Sequence, residues 1–257
     1  MDYILVSLAS LGAAGLTFFS GFGLGSILLP VFTLFAPVTA AVALTAVVHF
    51  LNNCFKFALT GRHADKNVLI RFGLPAMAFS AVGAWSLTQL SHLQPLAVYT
   101  LSNKTFEIEP VKITTAALIA FFAILECWPG FEKRSLDPKY LPFGGALSGF
   151  LGGLSGHQGA FRSMCLIRCG LSKESFIGTG VTIACMVDMV RLTVYAKSGL
   201  TEVLSGRGAL LSTAVIAAFA GSLLGNHFVK KMTLRGLQYM VSALLLLISA
   251  ALAAGWI

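Results

Sequence analysis

The sequence predicts an all-α polytopic membrane protein. It reads as a single membrane domain, 1–257, made of two inverted repeats, approximately 1–130 and 141–257. Each repeat should begin with a glycine-broken re-entrant or half-length helical hairpin. Three observations carry this expectation. Hydrophobic residues make up 56% of the chain and charged residues only 11%, where a soluble domain carries about 25% charge. Long apolar runs follow one another from end to end without strand-like alternation, so helices rather than a closed barrel must satisfy the backbone in lipid. Two of those runs are too long for one upright helix, and glycines interrupt both.

In order, the apolar runs span approximately 3–36, 38–60, 68–90, 113–128, 141–169, 174–196, 208–229 and 236–256. The first contains Ser20-Gly21-Phe22-Gly23-Leu24-Gly25-Ser26 and then Pro30; the fifth contains Gly152-Gly153-Leu154-Ser155-Gly156-His157-Gln158-Gly159. Glycine costs about 1 kcal/mol in a helix interior, so such clusters mark breaks. A shift of roughly 135 positions relates the two halves. Ser20-Gly21 then falls on Ser155-Gly156, Asn53 on Asp188 and Lys56 on Arg191, with Thr45 meeting Thr179 at one residue less. Met1-Asp2-Tyr3 lacks a basic n-region, so no cleaved leader is expected.

Lys and Arg placement sets the expected topology. If each broken run enters and returns to one side, eleven basic residues gather on one face, in the segments 62–71, 133–139, 168–173 and 230–235. Lys104, Lys112, Lys197 and Arg207 gather on the other. If each broken run crosses instead, the two sides carry nearly equal numbers and the rule fails. The first arrangement places both termini outside an inner membrane. The formal charge of +8 is thus a topology signal, with no nucleic-acid partner expected.

Three basic residues remain, Lys56, Arg162 and Arg191, all expected within the membrane with Asp188 as the deep acid. Even on the mildest scale an intramembrane charge costs about 2.5 kcal/mol, so each should face a partner or a cavity. Asp188 and Arg191 are three apart and can pair on one helix face. The excess of positive charge is what an anion site needs. On the run 38–60, His49, Asn52, Asn53 and Lys56 recur at helical spacing. A broken helix also offers free N–H groups and the positive end of a dipole, and glycine admits an anion close to the backbone. The expected substrate-binding residues are Gly21, Gly23, Gly25, Ser26, Asn53, Lys56, Gly156, His157, Gln158, Gly159, Arg162 and Arg191. His49, His157 and Asp188 are the expected proton carriers. The competing readings are structural: Arg191 neutralising Asp188, Lys56 snorkelling, His49 as a core histidine, and the glycines as helix contacts. The five cysteines show no metal pattern, and neither metal nor cofactor is expected.

The run Gly21-Phe22-Gly23-Leu24-Gly25 with Pro30 resembles the N-terminal glycine motif of the TauE/SafE sulfite exporter family, the TSUP permeases. So do Gly152 to Gly159, Arg162-Ser163 and Ile177-Gly178-Thr179-Gly180. The resemblance covers essentially the whole chain. It implies the same two-half plan with broken segments, and export or uptake of sulfite, sulfonates and related sulfur-containing anions. In the commoner pattern the second break is glycine-rich and followed by proline; here His157-Gln158 stands in that place, and Cys165 roughly where Pro30 stands in the first half.

The expectation is therefore a secondary carrier of small anions working by alternating access, with proton coupling open. A passive anion channel is the alternative. No GxxxxGK[ST] motif is present, so any energy would come from a gradient or a partner. With no paired catalytic carboxylates or cofactor motif, an enzyme is not expected. The expected partners are a small anionic substrate and membrane lipid, and a homodimer stays open.

Overall fold

The structure is a computed structural model that describes residues 2–20, 24–128, 135–199, 206–228 and 234–257. The first long apolar run divides into α1 (Asp2–Ser20) and α2 (Leu24–Thr33), followed by α3 (Val38–Thr60). A short α4 (Lys66–Val68) leads through a π-turn, Leu69–Gly73, into α5 (Leu74–Ser91). Then come β1 (Ala97–Leu101), β2 (Lys104–Ile108) and α6 (Pro110–Cys127). The second over-long run divides into α7 (Leu141–Ser155) and α8 (Gly159–Leu166). After it run α9 (Lys173–Lys197), α10 (Gly208–Phe228) and α11 (Leu234–Ala253).

Local chemistry explains the boundaries. The Asp65 carboxylate accepts from the Val68 amide at 2.8 Å, and the Ser172 hydroxyl accepts from the Ser175 amide at 3.1 Å; each caps the start of its helix. Pro110 opens α6 where its missing N–H has no partner to lose. Pro75, at the start of α5, cannot donate into the preceding turn, and the helix widens to a π-turn there. Four described helical stretches are long and apolar enough to cross a membrane: Val38–His63, Lys66–Ser91, Lys173–Lys197 and Gly208–Gly225. Shorter apolar helices lie at Asp2–Gly15, Leu24–Thr33, Pro110–Leu125 and Val241–Ala253. The chain is a multi-pass helical membrane protein.

The segment 91–112 is not a plain loop. Residues 97–108 form an antiparallel hairpin in which Leu101 pairs with Lys104. Ser102 and Asn103 make its two-residue turn with φ of 50° and 64°, the left-handed pair a type I′ turn requires. Tyr99 stacks on Phe106, its hydroxyl donates to the Ala254 carbonyl at 2.6 Å, and Trp256 Nε1 donates to that hydroxyl at 2.9 Å. The end of the chain is thereby latched to the hairpin.

Packing follows a definite pairing: α1 on α10, α5 on α7, α3 on α9 and α6 on α11. Glycines allow two of these contacts. A Cβ at Gly145, Gly149 or Gly153 of α7 would run into the backbone of Phe72, Ala76 or Ser80 respectively. The numbers rise together, so α5 and α7 run parallel. Gly221 against Leu11 and Gly225 against Gly15 make α1 and α10 parallel in the same way. Such small-residue spacing lets helices approach closely in lipid, where dispersion rather than the hydrophobic effect holds them.

These contacts also place the ends of the elements. Gly178 lies against the Thr60 carbonyl, and the Asp65 amide donates to Thr179 Oγ1 at 2.8 Å. The start of α9 is therefore beside the end of α3, and the two helices are antiparallel. The Leu136 amide, ahead of α7, donates to the Met164 carbonyl of α8 at 3.1 Å. So α7 and α8 leave one face of the bundle and return to it. The start of α1, carried by α10, and the end of α11, latched to the hairpin, lie on the opposite face.

Candidate anion site

The site grows from the second glycine break. Gly156 closes α7 with φ of 86°, its amide donating to the Gly152 carbonyl at 2.9 Å. That left-handed conformation favours glycine. A helix end leaves carbonyls without helical donors, and α9 supplies them. Arg191 Nη1 donates to the Gly152 carbonyl at 3.1 Å, and the Tyr195 hydroxyl donates to that of Gly153. The arginine charge also suits the negative end of the α7 dipole.

Asp188, fully buried on α9, is where four donors converge. His49 Nδ1 lies 2.6 Å from Oδ2 and Asn53 Nδ2 3.4 Å from it; both come from α3. Gln158 Nε2, from the break, donates to Oδ1 at 3.1 Å, and Arg191 Nη2 is 2.9 Å from Oδ1. A carboxylate only accepts, so His49 Nδ1 carries its proton and donates to Asp188. The 3.0 Å approach of Asn53 Nδ2 to that same nitrogen is then a contact between two donors, not a hydrogen bond. The Arg191 Nη2 contact is an ion pair without hydrogen-bond alignment, and Arg191 Nε has no hydrogen-bond partner among the described residues.

The network extends past Asp188. Gln158 Oε1 accepts from Arg162 Nη1 at 3.4 Å, so this one amide links both arginines to the acid. The Gln158 carbonyl accepts from Ser148 Oγ at 2.7 Å, which holds the break against α7. Gly180 of α9 lies beside Arg162 Nε. Lys56 is buried to 5% exposure on α3, and Arg162 is its charged neighbour. Its burial argues against snorkelling to an interface. His157, 4% exposed, stacks on Phe122 of α6 with ring centroids 4.8 Å apart, and its Nδ1 meets Ser155 Oγ at 3.0 Å. The first break contributes Gly25, where a Cβ would stand 3.2 Å from the Gly156 carbonyl oxygen. The start of α2 thus touches the second break.

Most of the residues expected from sequence come together here: His49, Asn53, Gly156, His157, Gln158, Arg162, Asp188 and Arg191 form one contiguous cluster, with Gly25 and Lys56 against it. Gly159 is buried as the first residue of α8, and Ser26 is buried on α2. Gly21 and Gly23 lie outside the described residues. Asn52, on the face expected to point inward, turns instead to α10, where Ser222 Oγ donates to its Oδ1 at 2.8 Å. Ser148, Ser155, Phe122 and Tyr195 were not expected. Tyr195 could have been found, since 188, 191 and 195 share a helical face. Phe122 gave no sign, because one aromatic residue on an apolar helix looks like any other.

Chemically, the cluster is a buried donor cradle. Among the described residues three buried cationic side chains, Lys56, Arg162 and Arg191, accompany one buried carboxylate, Asp188, so positive charge exceeds negative even with His49 and His157 neutral. Asp188 holds the place that an oxyanion's oxygens would suit: guanidinium, amide and imidazole donors within reach of one acceptor group. Neither the curated proteins nor the solved structures contain a match to this chain. The sequence profile described as Sulfite exporter TauE/SafE matches residues 6–252, nearly the whole length of the chain. With that match over the helices that build the cradle, the chain belongs to the TauE/SafE sulfite exporter family.

Proposed function

We propose that this chain is a secondary carrier of small oxyanions, sulfur-containing oxyanions and organosulfonates such as sulfite among them, working by alternating access in an inner membrane. The observation that carries the reading is the net-cationic cradle around Asp188, buried where the start of α2 meets the second break. Family membership supports an exporter of anions, and the donor types around Asp188 supply the recognition chemistry. Substrate would be held by Arg162, Arg191, Lys56, Gln158 and Asn53, with His157 and the glycines of the breaks shaping the space.

Two inverted repeats, about 1–130 and 141–257, provide the alternating element of this proposal. Exchange of the halves maps the α1–α10 contact onto α7–α5, and the antiparallel α3 and α9 onto each other, which supports that plan. Positive-inside bias then puts the face with residues 61–66 in the cytoplasm and both termini in the periplasm. Proton coupling would run through Asp188, hydrogen-bonded to His49 and ion-paired to Arg191. Protonation of Asp188 releases Arg191 and raises the positive charge of the cradle, so anion affinity rises as pH falls.

Reconstituted into liposomes, the protein should take up labelled sulfite with saturation and show counterflow when preloaded with unlabelled sulfite. Uptake that is linear in concentration and lacks counterflow would instead identify a passive anion channel. Failure of every sulfur oxyanion and sulfonate in a panel to raise the melting temperature of the purified protein would remove the anion-site reading, since a ligand that binds only the native state must raise it.

A further inference from the structure

His157 carries an assignable proton. Its Nδ1 lies 3.0 Å from Ser155 Oγ, and that same hydroxyl donates to the Leu151 carbonyl at 3.2 Å. A serine hydroxyl has one hydrogen and a carbonyl can only accept. Both bonds exist together only when Ser155 donates to Leu151 and Nδ1–H donates to Ser155. Neutral His157 therefore bears its hydrogen on Nδ1 and presents a bare lone pair at Nε2. That Nε2 is fully buried and has no hydrogen-bond partner among the described residues. Its ring is held in place by stacking on Phe122, within 9° of parallel. A buried acceptor with no partner costs free energy and needs an explanation.

The charged group acting on His157 is Arg191 from α9; α6 presents Phe122 and α7 presents Ser155. Arg191 Nε is likewise buried without a partner. The Arg191 guanidinium packs against Gly156, the residue that precedes His157 in the chain. Arg191 Nε is a cationic donor and His157 Nε2 a neutral acceptor. A bare oxyanion satisfies the first and sets lone pair against lone pair at the second. We propose that the ligand of this site is an anion that brings a hydroxyl hydrogen, its charged oxygens toward Arg191 and its O–H donated to His157 Nε2. This rests on the anion-carrier reading above and narrows its substrate class. Two kinds of ligand share the chemistry: a singly protonated oxyanion and an organosulfonate bearing an alcohol group.

The test uses the full-length purified protein and binding affinity. 2-Hydroxyethanesulfonate and ethanesulfonate differ only in the hydroxyl, and both stay monoanionic. The hydroxylated member should bind about tenfold more tightly. Sulfite is then measured on both sides of its second ionisation, with ethanesulfonate as the reference at each pH to cancel changes at Asp188. Tighter relative binding of the protonated form identifies a hydrogen oxyanion as a fitting ligand. Discrimination confined to the sulfonate pair identifies the alcohol-bearing class. His157→Gln, whose amide can turn to donate or accept, should bring the ratio for the sulfonate pair to about one. Equal binding of all protonated, hydroxylated and bare forms to the unmodified protein overturns this inference and leaves the carrier reading standing. Binding of none of them overturns both. The comparison in unmodified protein decides the question even if the variant does not fold.

Discussion

Asn53 and Asp188, 135 residues apart, meet across the antiparallel α3–α9 contact, where the Asn53 amide donates to Asp188 Oδ2 at 3.4 Å. The separation equals the shift that aligns the two halves of the sequence. Counterparts related by a two-fold axis touch only where the axis passes. In the proposed inverted-repeat plan that axis runs through the donor cradle, so the rocking of one half against the other pivots at the site where the anion is held.

Asp188→Asn should raise anion affinity at neutral pH and flatten its pH dependence. The carboxylate is the internal competitor for Arg191, and removing its charge mimics its protonation. Because Arg191 is then a buried charge without its counter-ion, the variant should also be less stable, by about 3–5 kcal/mol for a fully buried pair. Binding titrations at several pH values and thermal melting in detergent check the two effects separately. Unchanged pH dependence in a folded Asp188→Asn protein would assign the titration to another group.

Arg191→Gln should weaken anion binding by about ten- to a hundredfold, the loss of a charged hydrogen bond. It also removes the donor to the Gly152 carbonyl. Arg162→Gln lacks that capping role and provides the cleaner comparison. If both folded variants bind sulfite as the parent does, these charges serve the fold alone.

Gly156→Ala should insert in the membrane but bind anions poorly. A side chain at φ of 86° costs about 1–2 kcal/mol. Its Cβ would also stand 2.9 Å from Arg191 Nη1 and push the guanidinium away from the break. Gly149→Ala attacks a different contact: its Cβ would run into the Ala76 backbone and part α5 from α7, at a cost of about 1–3 kcal/mol. At Gly12 nothing lies within 4 Å of the added carbon, so Gly12→Ala should leave the melting temperature unchanged or slightly raised. Melting curves of the three variants, with sulfite binding for the first, test the set.

Topology can be read with an impermeant thiol reagent in a cysteine-free background. A cysteine at Ser102, on the exposed hairpin turn, should be labelled in intact cells. One at Ser135, on the face of the bundle that carries residues 61–66, should be labelled only after lysis. The reverse pattern would overturn the proposed orientation.

Composition and the long, non-alternating apolar runs determined by themselves that this chain lives in a membrane as helices, because lipid admits only helices and closed barrels and a barrel strand would alternate. The second glycine cluster marked the turn at Gly156, and the residues left over from the charge count, Lys56, Arg162, Asp188 and Arg191, pointed to the candidate site. Such groups are too costly in a bilayer to be scattered without partners. The partners themselves were decided by tertiary structure. Asp188 was legible as the mate of Arg191, three residues away on the same helix. That His49, Asn53 and Gln158 also converge on it depends on the antiparallel approach of α3 to α9 and on the fold-back at Gly156. Asn52 shows the limit of periodicity: it shares a helical face with Asn53, yet the position of α10 turns it to Ser222. Phe122 and Ser155, which fix the ring and the tautomer of His157, became visible only once α6 and α7 were brought to the break. One-dimensional spacing records which face a residue occupies, and only packing between helices decides what that face meets.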